Sequence, residues 1–206
     1  MVSQSTVEIA ALDRDGFGVQ AVFTWLGDRY GHSLCAMIGG QATPLLEANS
    51  AVERYGFPPA PPFQEAVKHQ LDDSRPSLLF TGAGEGGYWS VTVAPITDIH
   101  LAVLGFDFAC RRGRNASMPA VAYRIATGVS PELAAGKDAI LLRTEDRRSY
   151  LLAAAAMPTS LSTESISTCR LALDRHGATI EALGSPHVTS GTTVQWRFEI
   201  SAVRAR

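Results

Sequence analysis

From Thr193 to Ser201 the chain reads Thr-Val-Gln-Trp-Arg-Phe-Glu-Ile-Ser, apolar and polar residues alternating without a break. Successive side chains of a strand point to opposite faces. Val194, Trp196, Phe198 and Ile200 therefore share one face, and Gln195, Arg197 and Glu199 the other. One greasy face and one wet face is the signature of a strand in an antiparallel sheet.

The same alternation recurs upstream. Trp89, Val91 and Val93 alternate with Ser90 and Thr92, and Cys169, Leu171 and Leu173 alternate with Arg170, Ala172 and Asp174. Turn formers separate such stretches. Asp13 to Gly18 divides Val7–Leu12 from Val19–Leu26, Glu145 to Arg148 divides Leu141–Thr144 from Ser149–Ala156, and Asp174 to Gly177 leads from Cys169–Leu173 into Ala178–Leu183. Each pair reads as a hairpin.

Two short helices are expected within this β pattern. Thr43 can cap a helix that starts at Pro44, with Leu45, Ala48, Val52 and Tyr55 on one face and Gly56 as the stop. Beyond the stiff Phe57–Pro62 segment, Phe63, Val67 and Leu71 recur every four residues, which predicts a second helix over 63–71. A short turn is expected at Ser130-Pro131-Glu132, and the polar stretch Pro158 to Ser167 reads as an internal loop. The fold class is mainly β, bordering on α+β: an antiparallel sandwich or barrel-like sheet of roughly nine to eleven strands with two helices.

Length and composition fit this reading. All-β units often run to about 200–250 residues as one domain, and the 206 residues show no repeat and no linker, so 1–206 is read as a single domain. The hydrophobic fraction of 46% supplies a core without staples. The formal net charge of −2 leaves no overall basic field for nucleic acid; the densest basic cluster, Arg111, Arg112 and Arg114, reads as a solvated strand end. No run of about 18 apolar residues predicts a membrane helix, and the polar start lacks a leader pattern. Cys35, Cys110 and Cys169 are far apart and odd in number, which points to buried reduced thiols and a cytoplasmic setting rather than to disulfides or zinc.

Chemistry-bearing residues are few. Gly82 to Gly87 is glycine-rich, but a strand follows it and not a helix, so it reads as a hairpin loop, or as a flap over a pocket, and not as a phosphate cradle. No HExxH or His-x-His spacing occurs, so no dedicated metal site is expected; no GxSxG elbow points to an α/β-hydrolase serine, and no cofactor is expected. In Trp25-Leu26-Gly27-Asp28-Arg29-Tyr30-Gly31-His32, an extended chain sets Asp28, Tyr30 and His32 on one face and Trp25, Gly27 and Arg29 on the other. A carboxylate near an imidazole can orient it and raise its pKa. Gly27-Asp28 is equally a turn pair, which breaks that shared face. Asp107 lies opposite Phe106 and Phe108 and needs a partner; Arg111, four residues on, is roughly 13 Å away along a strand. Arg29 and Arg124 are alternative partners.

Three functions remain open. The first is a non-enzymatic module that binds a small molecule or a protein. The second is a hydrolase or anionic-ligand enzyme with Asp28, His32 and Asp107 as catalytic residues and Arg29, Tyr30, Arg111 and Trp25 holding the ligand. The third is a subunit that forms a homodimer through a sheet edge or an apolar face.

Overall fold

A computed structural model describes residues 5–48, 61–71, 75–84, 86–97, 102–113, 119–134, 138–156, 168–174, 177–183 and 191–204. These form fifteen strands: β1 (Thr6–Leu12), β2 (Gly18–Trp25), β3 (Tyr30–Ile38), β4 (Gln41–Ala48), β5 (Glu65–Gln70), β6 (Pro76–Gly84), β7 (Gly87–Thr97), β8 (Ala102–Arg112), β9 (Ala120–Ile125), β10 (Val129–Leu133), β11 (Ala139–Thr144), β12 (Ser149–Ala155), β13 (Thr168–Leu173), β14 (Ala178–Leu183) and β15 (Thr193–Val203).

The strands make two antiparallel sheets. The first has the order β1-β2-β3-β4-β9-β14-β13, the second β10-β11-β12-β15-β8-β7-β6-β5. Both have open edges, so the fold is a sandwich and not a closed barrel. The exposed edges are guarded as edge strands usually are: β10 carries Pro131 and β5 carries Lys68.

Alternation sets the core. Val194, Trp196, Phe198, Ile200 and Ala202 of β15 are all buried. In the neighbouring β8, Phe106 pairs with Phe198 and Phe108 with Trp196, their rings stacked at 4.7 and 5.0 Å. Phe23 of the first sheet stacks on Phe80 of the second at 4.0 Å. Inward residues of both sheets form one continuous cluster. The three predicted hairpins are present as β1–β2, β11–β12 and β13–β14.

Among the described residues there is no helix, and so none long and apolar enough to cross a membrane. The helix expected from Pro44 is a strand as far as Ala48, and its remaining residues lie outside the described ones. The register slips there: Leu34 pairs with Leu46 but Cys35 with Pro44, leaving Leu45 as the extra residue of a bulge. The bulge lets Leu45 and Leu46 both bury and accommodates a proline that would interrupt a regular ladder.

The helix expected over 63–71 is strand β5. A spacing of four residues is shared by the helical period and the strand period, so Phe63, Val67 and Leu71 did not discriminate between them. Val67 is 52% exposed, and Ala66 is the residue packed on the core. The turn expected at Ser130-Pro131-Glu132 is edge strand β10, and the loop expected at Pro158–Ser167 lies outside the described residues.

Candidate binding cleft

Residues 61–64 cross one end of the sandwich as a strap. Tyr30 N–H of β3 donates to Phe63 O at 2.7 Å, and Gln64 N–H donates to Thr81 O of β6 at 2.8 Å, so the strap is bonded to both sheets. Between those bonds Phe63 is fully buried, with its ring centroid 5.9 Å from that of Phe80 and 6.2 Å from that of Phe108. The strap lies so close to β6 that a Cβ on Gly82 would stand 1.6 Å from Pro62 O. Only glycine allows that approach.

Gln64 and Glu65, where the strap runs into β5, form one wall of an open cleft of about 460 Å³ on the outer face of the second sheet. Its floor follows from the register. Thr81, Ser90 and Ala109 stand side by side on β6, β7 and β8, and Tyr88, Arg111 and Thr193 form the next row. These residues face outward because their neighbours Phe80, Trp89, Val91, Phe108 and Cys110 face the core.

Several groups in the cleft are already positioned. Gln64 Oε1 accepts from Ala83 N–H at 3.2 Å, and Glu65 accepts from the Thr81 hydroxyl at 3.3 Å. The Tyr88 ring is 70% exposed. Among the described residues the exposed Arg111 guanidinium has no hydrogen-bond or ion-pair partner. Volumes of roughly 300–1,000 Å³ are typical of small-ligand sites.

Asp107 lies one row beyond Ala109 on the same face, with Thr92 and Arg197 beside it. Its ion-pair partner is Arg197, at 3.3 Å, and Arg197 also bonds Glu199 at 3.1 Å. Burial holds the Asp107 carboxyl above the usual carboxylate range, against the pull of Arg197. The other partners considered for Asp107 are engaged elsewhere: Arg29 with Asp28 at 2.9 Å, and Arg124 with Glu47.

The Trp25–His32 segment makes a turn. Gly27 adopts φ 107°, and Leu26 N–H donates to Arg29 O at 2.8 Å. Asp28 and Arg29 sit at the turn, and the refolded register pairs Trp25 with Tyr30, their rings edge-on at 5.1 Å. Tyr30 and His32 do share a face, but it is the inner one: Tyr30 packs edge-on against Phe80.

His32 is only 4% exposed. Its ring stacks on Phe23, and Nε2 lies 2.8 Å from Tyr123 Oη. Nδ1 has no partner among the described residues. Burial pushes the His32 pKa down to about 3 and that of Tyr123 well above its ordinary value. Both groups are therefore neutral near pH 7. Asp28, His32 and Asp107 thus occupy a turn, the core and the outer face of the opposite sheet. Of the sequence-identified residues, Arg111 lines the cleft, with Asp107 on its flank.

A second cleft, of about 450 Å³, lies beside the β11–β12 hairpin and is lined by Phe17, Ile38, Arg147, Arg148 and Arg204 among others. Its cations are largely matched internally. Arg204 pairs with Asp13 and Asp15, while Arg148 pairs with Asp146 at 3.2 Å and lies over the Phe17 ring. Among the described residues no three His, Cys, Asp or Glu side chains gather as a metal site; His69 is on β5, and His100, His176 and His187 lie outside those residues.

Tyr88, Gln64 and Glu65 were not singled out by sequence reasoning. The available signal was the glycine-rich stretch, two of whose residues, Gly82 and Ala83, line the cleft. Comparison with protein-family models, with curated proteins and with solved structures finds no match.

Proposed function

We propose that the chain is a non-enzymatic binding module that holds a small polar ligand in the cleft on the outer face of its second sheet. The observation that carries this reading is the pairing of an exposed aromatic ring with a guanidinium that no described residue engages. Tyr88 and Arg111 are register neighbours, both exposed, in a concavity of ligand size. An exposed ring and an uncommitted cation do little for folding, and both are common in recognition surfaces.

Sheet strands, not loops, supply most of the floor, so the cleft is preformed and a ligand loses little affinity to ordering it. A ligand bound only by the folded chain at a hundred times its Kd raises the melting temperature by roughly 5–10 °C. Thermal melting against a panel of metabolites, nucleotides and metals tests the reading. Tyr88→Ala and Arg111→Ala should abolish any such rise without changing the melting temperature of the unliganded chain. A ligand whose effect survives both substitutions would move the site elsewhere.

The hydrolase reading retains support from Asp107, a carboxyl raised by burial on the flank of the same cleft. It is the weaker reading because Arg197 already holds that carboxyl in a shared pair with Glu199. A reducing compartment such as the cytoplasm is supported by Cys35, Cys110 and Cys169. All three are buried free thiols, pushed up to about 11 by burial, and such thiols serve as small apolar groups.

A further inference from the structure

We propose that the ligand of the cleft is a neutral, hydroxyl-rich ring, a saccharide, an inference that rests on the binding reading above. Three features of the lining point to that class. The first is charge. Among the described residues Glu65 and Arg111 are its two ionic side chains, one of each sign. Glu65 on β5 and Arg111 on β8 stand three strand spacings apart, roughly 14 Å, so a ligand that spans the cleft meets one charge of each sign, and a ligand of uniform sign gains little net attraction. A neutral ligand meets no such conflict.

The second feature is the hydrogen-bonding inventory. The hydroxyls of Ser90 and Thr193 each donate and accept, and that of Thr81, which donates to Glu65, keeps its lone pairs to accept. Gln64 has its oxygen engaged by Ala83 N–H, which leaves its amide N–H groups to donate. Arg111 donates only, and the Glu65 carboxylate accepts only. Donors and acceptors are thus interleaved across the floor and wall. A planar apolar ligand would bury these groups unpaired and lose affinity at each of them. A ring bearing a hydroxyl at nearly every carbon can answer both kinds.

The third feature is the apolar ground between those groups. Gly82, Ala83 and Ala109 present backbone and methyl surface, and the Tyr88 ring stands beside them, exposed. The C–H face of a sugar ring packs on such surface while its hydroxyls reach the polar groups at the sides. Aromatic contact of this kind supplies area at small conformational cost, because a tyrosine has only two side-chain torsions to fix.

The test is calorimetric titration of the full chain with two sets of named probes. The neutral set is maltotriose, cellotriose, xylotriose, mannotriose, chitotriose and lactose; the charged set is inorganic phosphate, sulfate, citrate and spermidine. Variants Tyr88→Ala, Glu65→Gln and Arg111→Gln are titrated in parallel, with circular dichroism confirming that each folds. The expected result is saturable binding of at least one neutral sugar. Tyr88→Ala should weaken it about tenfold, and Glu65→Gln and Arg111→Gln should each weaken it measurably. Binding confined to the charged probes, abolished by Arg111→Gln or Glu65→Gln, would overturn the saccharide class while leaving the cleft as a binding site. Silence from every probe, neutral and charged, would overturn the inference and count against the cleft itself.

Discussion

His32 is buried where, among the described residues, no opposite charge offsets the desolvation of its charged form. Its pKa is 6.5 in an unfolded chain and about 3 in the core. Between those values the unfolded chain binds a proton that the folded chain refuses, so stability rises with pH and falls on acidification. The loss between pH 6.5 and 4 amounts to about 3 kcal/mol. Urea unfolding across that range should therefore be steeper for the wild type than for a His32→Phe/Tyr123→Phe double variant, which removes both polar partners. Parallel profiles would mean that the imidazole is protonated without penalty. Tyr123→Phe alone takes away the partner of Nε2 and should cost about 1–3 kcal/mol. Arg147 offers a test of opposite sign. It is the one non-glycine residue with positive φ among those described, at 64°. It closes the β11–β12 hairpin, where Arg147 N–H donates to Thr144 O at 2.9 Å, a position that favours glycine. Arg147→Gly should stabilise the chain by roughly 0.5–1 kcal/mol, read as a higher urea midpoint. A lower midpoint would show that the side chain itself holds the hairpin.

Among the elements, the strap at 61–64 does most to unite fold and cleft. Gly82→Ala sets a methyl group against the Pro62 carbonyl, and backbone on both sides must yield. The expected cost is about 3 kcal/mol or more. Hydrogen exchange gives the specific readout: the Tyr30 and Gln64 amides, which bond across the strap, should lose protection while the centre of the first sheet keeps it. Unchanged protection at those two amides would show that the strap does not depend on close contact with β6. Phe63→Ala, which empties the space between the sheets, should cost about 3–5 kcal/mol. The strap also marks the limit of what the sequence conveys. Hairpins were legible because turn chemistry at Asp13–Gly18 or Glu145–Arg148 and alternation on either side are local facts. Strand β5 was not, because Phe63, Val67 and Leu71 satisfy both periods and the choice is made by β6, whose edge captures the segment. Arg111 and Asp107 were legible as residues that need partners, yet the cleft was not, since Gln64, Tyr88 and Thr193 meet only after four strands and the strap have come into register. His32 was legible as chemistry but not as core. The turn at Gly27 and the ring of Tyr123, 91 residues away in sequence, decide that.

In the whole molecule, the strand that reads most plainly from sequence is paired on both sides with distant parts of the chain. Strand β15 lies between β12 and β8 in the second sheet, and its partners include Phe106 and Phe108, 92 and 88 residues earlier in register. The second sheet is therefore incomplete until β15 docks, leaving β10-β11-β12 as one fragment and β8-β7-β6-β5 as another. Sheets closed by such non-local pairing fold slowly, in milliseconds to seconds, because loop closure precedes any reward from contact. Stopped-flow refolding from urea should give a main phase in that range. Pulsed hydrogen exchange should show β1–β2 amides protected early and those of β8, β12 and β15 protected together at the end. Trp196→Ala and Phe198→Ala should each cost about 3–5 kcal/mol, and their combined effect should depart from additivity because both rings stack in one column with Phe108. A double variant whose cost equals the sum of its parts, or a β15 protected before its neighbours, would mean that the two halves of the sheet are stable without it.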